Sequence, residues 1–384
     1  MSAIEDAELP GFVRRAMAEP LPAPTASTGW VGWFRERLFG SLFSTLLTLL
    51  ALYLLWLIVP PLVRFVFIDA VWTGTDRDAC LASRAGQAVG ACWPFIWAKL
   101  PQLVYGFYPG AERWRVDVTF VLAALLLAPL LIPSAPYKRE NAIAFFGVFP
   151  IVAFFLLVGG VFGLPYVDTH LWGGLLVTLV VAVTGIVASL PLGILLALGR
   201  RSKLPIVRTF SITFIEFWRG VPLITVLFFA TYMLPLFLPN NWSIDALLRA
   251  LVGVALFAAA NMAEVVRGGL QAIPRGQFEG AMAVGLGYWQ MMGLIVLPQA
   301  LKLVIPGIVN TFIGLFKDTT LVLIVAIFDL LGQLRGALTD PTWSAPSTLF
   351  TGFAFTGMIY FCFCFGMSRY SQFVERRIDT ARRR

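Results

Sequence analysis

The sequence predicts an all-α protein that crosses a membrane about eight times. Three observations carry that expectation. Of 384 residues, 59% are hydrophobic and only 13% charged, where a soluble domain is about half apolar and a quarter charged. The 28 residues from Gly40 to Phe67 hold one charged side chain, Arg64, and exceed the ~20 that carry a helix through ~30 Å of hydrocarbon. Similar runs recur, and Lys and Arg gather at their ends. The formal net charge of +8 is therefore distributed as membrane anchors are, not as a nucleic-acid footprint. The bilayer is the solvent, and nucleic acid is excluded as a partner.

Residues 1–40 carry Glu5, Asp6, Glu8 and a Pro/Ala-rich run from Pro20 to Ala26, and no short apolar core of a cleavable signal. They read as a disordered cytoplasmic arm. The first span is Ser41 to Ile68, followed by a polar loop of 48 residues, Asp69 to Val116, rich in Trp, Gly and Pro. Spans two and three are Asp117 to Pro133 and Ala142 to Gly163, and span four is Leu171 to Leu198. Gly220 to Leu238, Ala246 to Ala263, Ala300 to Leu331 and Ser347 to Met367 complete the set.

Orientation follows from the basic residues. Lys138 and Arg139 follow span two; Arg200, Arg201, Lys203 and Arg208 follow span four; Arg267, Arg275 and Lys302 follow span six. A basic tail, residues 378–384, closes the chain. The positive-inside rule puts both termini in the cytoplasm and the 69–116 loop on the periplasmic side. There Cys80 and Cys92 can form a disulfide or stay as two thiols. Cys362 and Cys364, two apart on one helix, point ~200° apart and cannot bond to each other. One histidine, His170, and no C-x-x-C spacing argue against a metal centre.

The polar stretch between spans six and seven is the most informative part of the chain. Pro274 and Gly276 break the preceding helix, a short helix starts near Gln277, and Gly285 or Gly287 stops it. Such a helix is too short to stand alone in water and must pack on something. Glu279 is expected in its first turn, where a carboxylate complements unpaired amides by ~0.3–1 kcal/mol.

Glu279, Gly280, Ala281, Gly285, Ile295, Leu297 and Pro298 resemble the EAA loop of ATP-binding-cassette (ABC) importer permeases, E-A-A-x3-G-x9-I-x-L-P. The departure is Gly280 in place of Ala, which loosens a helix interior by ~1 kcal/mol. Gly174 to Leu179, Glu216 to Leu223, Glu264 to Gln277, Lys317 to Leu321 and Ser368 to Arg377 are similar to segments of the polar amino-acid, or histidine-permease-type, branch. The extra front end resembles the longer permease subunit of general L-amino-acid importers.

The resemblance implies a type I importer core over residues 171–377, formed by the C-terminal five helices, with three accessory helices in 41–170. It implies import of L-amino acids across a bacterial inner membrane by alternating access. It also implies a coupling helix that docks on a separate ATPase subunit, a second, homologous permease chain, and a periplasmic amino-acid-binding protein. The chain has no G-x-x-x-x-G-K-[ST] phosphate loop. ATP and Mg²⁺ therefore belong to the partner ATPase, and this subunit is expected to be no enzyme and to carry no cofactor or metal.

Charges within the membrane mark further candidates. Glu216 with Arg219, and Glu264 with Arg267, stand at i,i+3 and suit local ion pairs or a gate. Lys317 and Asp318 lie ~25 Å along span seven counted from Ala300, past the midplane. With Asn310, Thr319 and Thr320 they can line a substrate pathway, or can serve structural pairing. Two rival classes compete with the importer reading. A secondary transporter needs inverted repeats around an ion site, and a membrane enzyme needs a nucleophile–base or metal constellation. Neither accounts for the loop at Glu279, and co-purification of an ATPase would separate them from the importer reading.

Overall fold

The computed structural model describes residues 29–82, 86, 89–132, 134–239 and 244–382. The chain divides into two compact units, Met1–Ile68 and Asp69–Arg384. In the first unit, helix α1 (Gly29–Leu38) exposes Trp30, Trp33 and Phe34. It lies inside the stretch expected to be a disordered arm. The rest of that expectation, residues 1–28, lies outside the described residues. Ser41 accepts from the Ser44 amide and caps α2 (Leu42–Val63). Pro60 and Pro61 withhold two amides, and the helix continues as a π-turn, Arg64–Ile68.

The second unit opens on the segment expected to be a long loop. It contains α3 (Trp93–Tyr105), a helix with one buried face formed by Phe95, Ile96 and Leu103. Helix α4 (Arg113–Leu131) starts four residues before the expected Asp117, because buried Arg115 and Val116 pack inward rather than facing water. Helix α5 (Lys138–Val158) also starts early and ends early, at Gly159, where φ is +71° and the chain reverses through Gly160 and Gly163.

The centre of the unit is the packing of α6 (Gly174–Arg200) along a long helix, α9 (Ala246–Gln271). Alanines 255, 258, 259, 260 and 263 are buried on α9. At Gly193 a Cβ would lie 2.7 Å from Met262 Cγ, so only glycine permits that approach. Between these helices lie α7 (Pro205–Gly220) and α8 (Leu223–Phe237), bent by 101° at Val221–Pro222. The expected fifth span thus begins after Pro222 rather than at Gly220. Helix α9 itself runs eight residues past the expected Ala263.

A short α10 (Arg275–Ala283) follows, then an irregular helix α11 over 288–303. The expected single helix from Ala300 to Leu331 is three pieces. It breaks at Val304 ahead of Pro306. It resumes as α12 (Ile305–Val325), whose last seven residues tighten to 3₁₀ geometry, and stops at Ala326 with φ +59°. Helix α13 (Leu330–Leu338) is separate. The last helix, α14 (Pro346–Arg382), runs 15 residues beyond the expected Met367 and takes in most of the expected tail. Ser371 is buried there, so the polar continuation still has a packed face.

Among the described residues seven helices are long and apolar enough to cross a membrane, or eight counting the bent α7–α8 pair. The fold is all-α and polytopic.

Candidate functional site

Four groups of side chains define what the molecule can do. The first is α10. Pro274 has no amide hydrogen and sets the helix start at Arg275, so Glu279 is the fifth of nine residues. Its carboxylate therefore does not meet the unpaired first-turn amides, which corrects the sequence expectation. Ala281 is buried in the cluster that also holds Leu270, Ile273, Met291 and Met292. Phe278 lies under the Arg201 guanidinium at 5.4 Å, and Arg201 also donates to the Leu270 carbonyl at 3.0 Å. Gln299 donates to Gln277 at 3.1 Å.

The helix ends in a Schellman motif. The Leu286 amide donates to the Ala281 carbonyl at 3.2 Å and the Gly285 amide to Met282 at 3.0 Å, with Gly285 at φ +80°. Gly280 has open space where a Cβ would stand. Ile295 sits in the π-turn Met292–Val296, with Leu297 and Pro298 beginning the next turn, and Ile295 and Leu297 back onto the same cluster. Among the exposed residues are Glu279, Met282 and Val284, the last 74% exposed.

The second group lies where α6, α7 and α9 converge. Arg200 pairs with Glu216 at 2.8 Å and with Glu264 at 3.5 Å. Arg219 reaches Glu264 at 3.8 Å, and Arg267 donates through Nε to Glu264 at 2.8 Å. Glu264 is the hub. The expected local pair Glu264–Arg267 forms. Glu216 instead turns to Arg200, a residue that sequence reading treated as a membrane anchor. Its only sequence signal is its position at the end of a span.

The third group is the middle of α12. Counted from Ile305, where the helix restarts after the break at Val304, Lys317 is ~18 Å along it. Lys317 and Asn310 are exposed on one face, seven residues apart. Among the described residues no ion pair involves Lys317 or Asp318. The Thr319 and Thr320 hydroxyls donate to the Phe316 and Lys317 carbonyls, at 2.8 and 3.0 Å. Both threonines thus close the 3₁₀ turn first of all.

Sequence reasoning missed the buried knot beside them. Asp329 caps α13 by accepting from the Gly332 amide at 2.9 Å, and accepts from the Tyr360 hydroxyl at 2.9 Å. Thr178 accepts from the Leu330 amide at 3.0 Å. An aspartate one residue before a helical run was the available signal.

The fourth group is a cap on α13 and the start of α14, formed by the described residues 69–82 and 89–108. Cys80 and Cys92 are joined in a disulfide. The Cys92 amide donates to Thr351 at 2.8 Å, Ser347 donates to the Cys80 carbonyl at 3.2 Å, and Lys99 meets Asp340 at 2.5 Å. The Lys99 ammonium pulls the Asp340 carboxyl down from 3.8 to about 2. A depressed folded-state value means the pair stabilises the cap above about pH 4 and is lost as pH falls through about 2. Reduction of the buried disulfide by a phosphine reports cap opening. Its rate should climb in wild type between about pH 4 and pH 2, whereas Lys99→Met should be faster throughout and climb less steeply, since only the Thr342 hydrogen bonds still hold the carboxylate. An unchanged profile in the variant would remove the pair from the account.

The model of the family described as "Binding-protein-dependent transport system inner membrane component" matches residues 189–380. The inner membrane amino-acid ABC transporter permease protein YhdY of Escherichia coli (strain K12) is 49% identical over 94% of this chain and 97% of its own. The glutamate/glutamine/aspartate/asparagine transport system permease protein BztC of Rhodobacter capsulatus is 40% identical, over 96% and 98%. The crystal structure of an amino acid ABC transporter with histidines is 27% identical over 53% of this chain and 92% of that chain, with a TM-score of 0.47.

Proposed function

The chain belongs to the binding-protein-dependent transport system inner membrane components, and from that premise we propose that it is a permease subunit importing amino acids across an inner membrane. The amino-acid class follows from the two relatives that match nearly end to end. Residues 171–377 form the importer core in this reading, and 41–170 the accessory part. The exposed α10, with its Schellman end and its apolar outer patch, carries the reading. It is the coupling helix, gripped by a separate ATPase subunit that binds ATP and Mg²⁺.

Motion at α10 passes through Phe278 to Arg201, and from neighbouring Arg200 to Glu216 and Glu264. The ends of α6, α7 and α9 then respond together, which is the gating step of alternating access. Both termini and α10 face the cytoplasm, and the cap faces the periplasm, where a binding protein delivers substrate.

A bare lysine facing hydrocarbon costs ~2.5–3.5 kcal/mol or more. The face carrying Asn310 and Lys317 therefore abuts a second, homologous permease chain and a water-filled pathway between the two. Lys317 meets the substrate carboxylate. Asp318 stands at its edge, and Thr319 and Thr320 shape the turn. Loss of one charge-assisted contact is worth about tenfold or more in rate. Lys317→Ala should lower amino-acid uptake by about that factor with the complex assembled. Wild-type uptake at normal expression would make Lys317 a structural residue.

A further inference from the structure

A buried polar knot stands behind Lys317, and the transport reading gives it no task. The Tyr360 hydroxyl, on α14, donates to Asp329 Oδ2 at 2.9 Å. Asp329 Oδ1 caps α13 by accepting from the Gly332 amide at 2.9 Å. The Thr178 hydroxyl of α6 and the Thr319 hydroxyl of α12 also face the Tyr360 hydroxyl. Thr178, Thr319 and Asp329 are at most 1% exposed. Among the described residues Asp329 has no ion-pair partner. A carboxylate buried without a counter-ion is costly unless hydrogen bonds satisfy it. The Tyr360 hydroxyl is thus required where it stands, and a satisfied buried network of this kind specifies one arrangement.

The same tyrosine also bears on α12. Its ring meets the Phe316 ring edge-on, with centroids 5.5 Å apart, and Phe363, about one turn further along α14, meets Phe316 at 5.1 Å. Phe316 is 3% exposed, and its carbonyl accepts from the Thr319 hydroxyl. Lys317 is the next residue, ~100° round the helix, and it is exposed. The rotation of α12 that buries Phe316 is therefore the rotation that presents Lys317. Turning a helix by about 10° carries a group ~6 Å from its axis through ~1 Å. A misplacement of that size removes much of the value of an oriented contact.

We propose that Tyr360 is a positioning residue for transport, holding α12 at the rotation that aims the Lys317 ammonium at the substrate carboxylate. It makes no contact with substrate. Its hydroxyl is anchored on Asp329 and its ring on Phe316, so α6, α13 and α14 together set the face of α12 that carries the charge. The inference rests on the role given to Lys317 above. A residue that acts only through Lys317 cannot cost more than Lys317 itself, about tenfold.

The test is a double-mutant cycle on amino-acid uptake at subsaturating substrate, in proteoliposomes holding the assembled transporter with its binding protein. Tyr360→Phe keeps the ring and removes the hydroxyl, and should lower uptake by about threefold to tenfold. On a Lys317→Ala background the same substitution should cause no further loss. Asp329→Asn can still cap α13 through its one oxygen, which leaves Tyr360 an amide nitrogen that cannot accept. It should follow the same pattern, and it keeps the test decisive if Tyr360→Phe fails to assemble. A comparable loss in both backgrounds is what a merely structural tyrosine gives, and would overturn the proposal. Wild-type uptake by Tyr360→Phe, or a loss greater than that of Lys317→Ala, would overturn it too. Wild-type uptake by Lys317→Ala alone would instead remove the substrate contact itself, and the inference with it.

Discussion

Gly285→Arg abolishes uptake while leaving the chain in the membrane: that is the largest effect expected of any single substitution. Gly285 stands at φ +80°, where an ordinary L-residue is disfavoured by roughly 1–2 kcal/mol. Arginine there either strains the turn or unwinds the two capping bonds from Gly285 and Leu286. Either outcome displaces Met282 and Val284, the outward patch of α10. Nothing in the fold stands within 4 Å of a Cβ at this position, so the core is untouched and insertion should be normal. The measurement is binding-protein-stimulated ATP hydrolysis in proteoliposomes, alongside uptake. Gly285→Asn separates the two causes, because asparagine tolerates the left-handed region and ends helices in the same way. It should retain much of the activity. Stimulated hydrolysis at the wild-type rate in Gly285→Arg would remove α10 from the coupling role.

Glu264→Ala should be nearly as severe, for a different reason. Glu264 is the shared partner of Arg200, Arg219 and Arg267. Its removal leaves three guanidinium groups close together with Glu216 alone to answer them. These side chains are a quarter to two-fifths exposed. Solvent therefore screens part of the repulsion, and the stability cost is about 1–2 kcal/mol rather than that of a fully buried pair. The functional cost is larger, because the ends of α6, α7 and α9 are no longer tied at one point. Basal ATP hydrolysis in the assembled complex should rise, and its stimulation by loaded binding protein should fall toward unity. Glu264→Gln, which can still accept from Arg267, should be intermediate. A wild-type ratio of stimulated to basal hydrolysis in Glu264→Ala would confine the cluster to a structural role.

What the sequence disclosed depended on how local the signal was. The spans were legible because each is a long apolar run, and Pro274 with Gly285 bracketed α10 because both act on their own backbone. Helix α3 was hidden in a stretch rich in Trp, Gly and Pro. Its buried face, Phe95, Ile96 and Leu103, becomes apolar in purpose only when α13 packs on it. The break at Val304 was invisible for a related reason: Pro306 is compatible with a helix start as well as with a kink. Arg200 could not be assigned, since its partners lie 16 and 64 residues away in sequence. The same holds for Asp329 and Tyr360, 31 residues apart, which meet only once α13 and α14 are folded together.

The most direct test of the account is a cross-link from α10 to the ATPase. Met282 is 58% exposed at the outer surface of that helix, and Cys362 and Cys364 are the free thiols to be replaced by serine first. In that background Met282→Cys, carrying a short thiol-coupled photoreactive group that inserts into neighbouring C–H and N–H bonds on illumination, should give one product in membranes containing the assembled transporter. It should join this chain to the ATPase subunit, and its yield should change when ATP is bound. A product formed with the partner permease or with the periplasmic binding protein, or none with the ATPase in an actively transporting complex, would contradict the account.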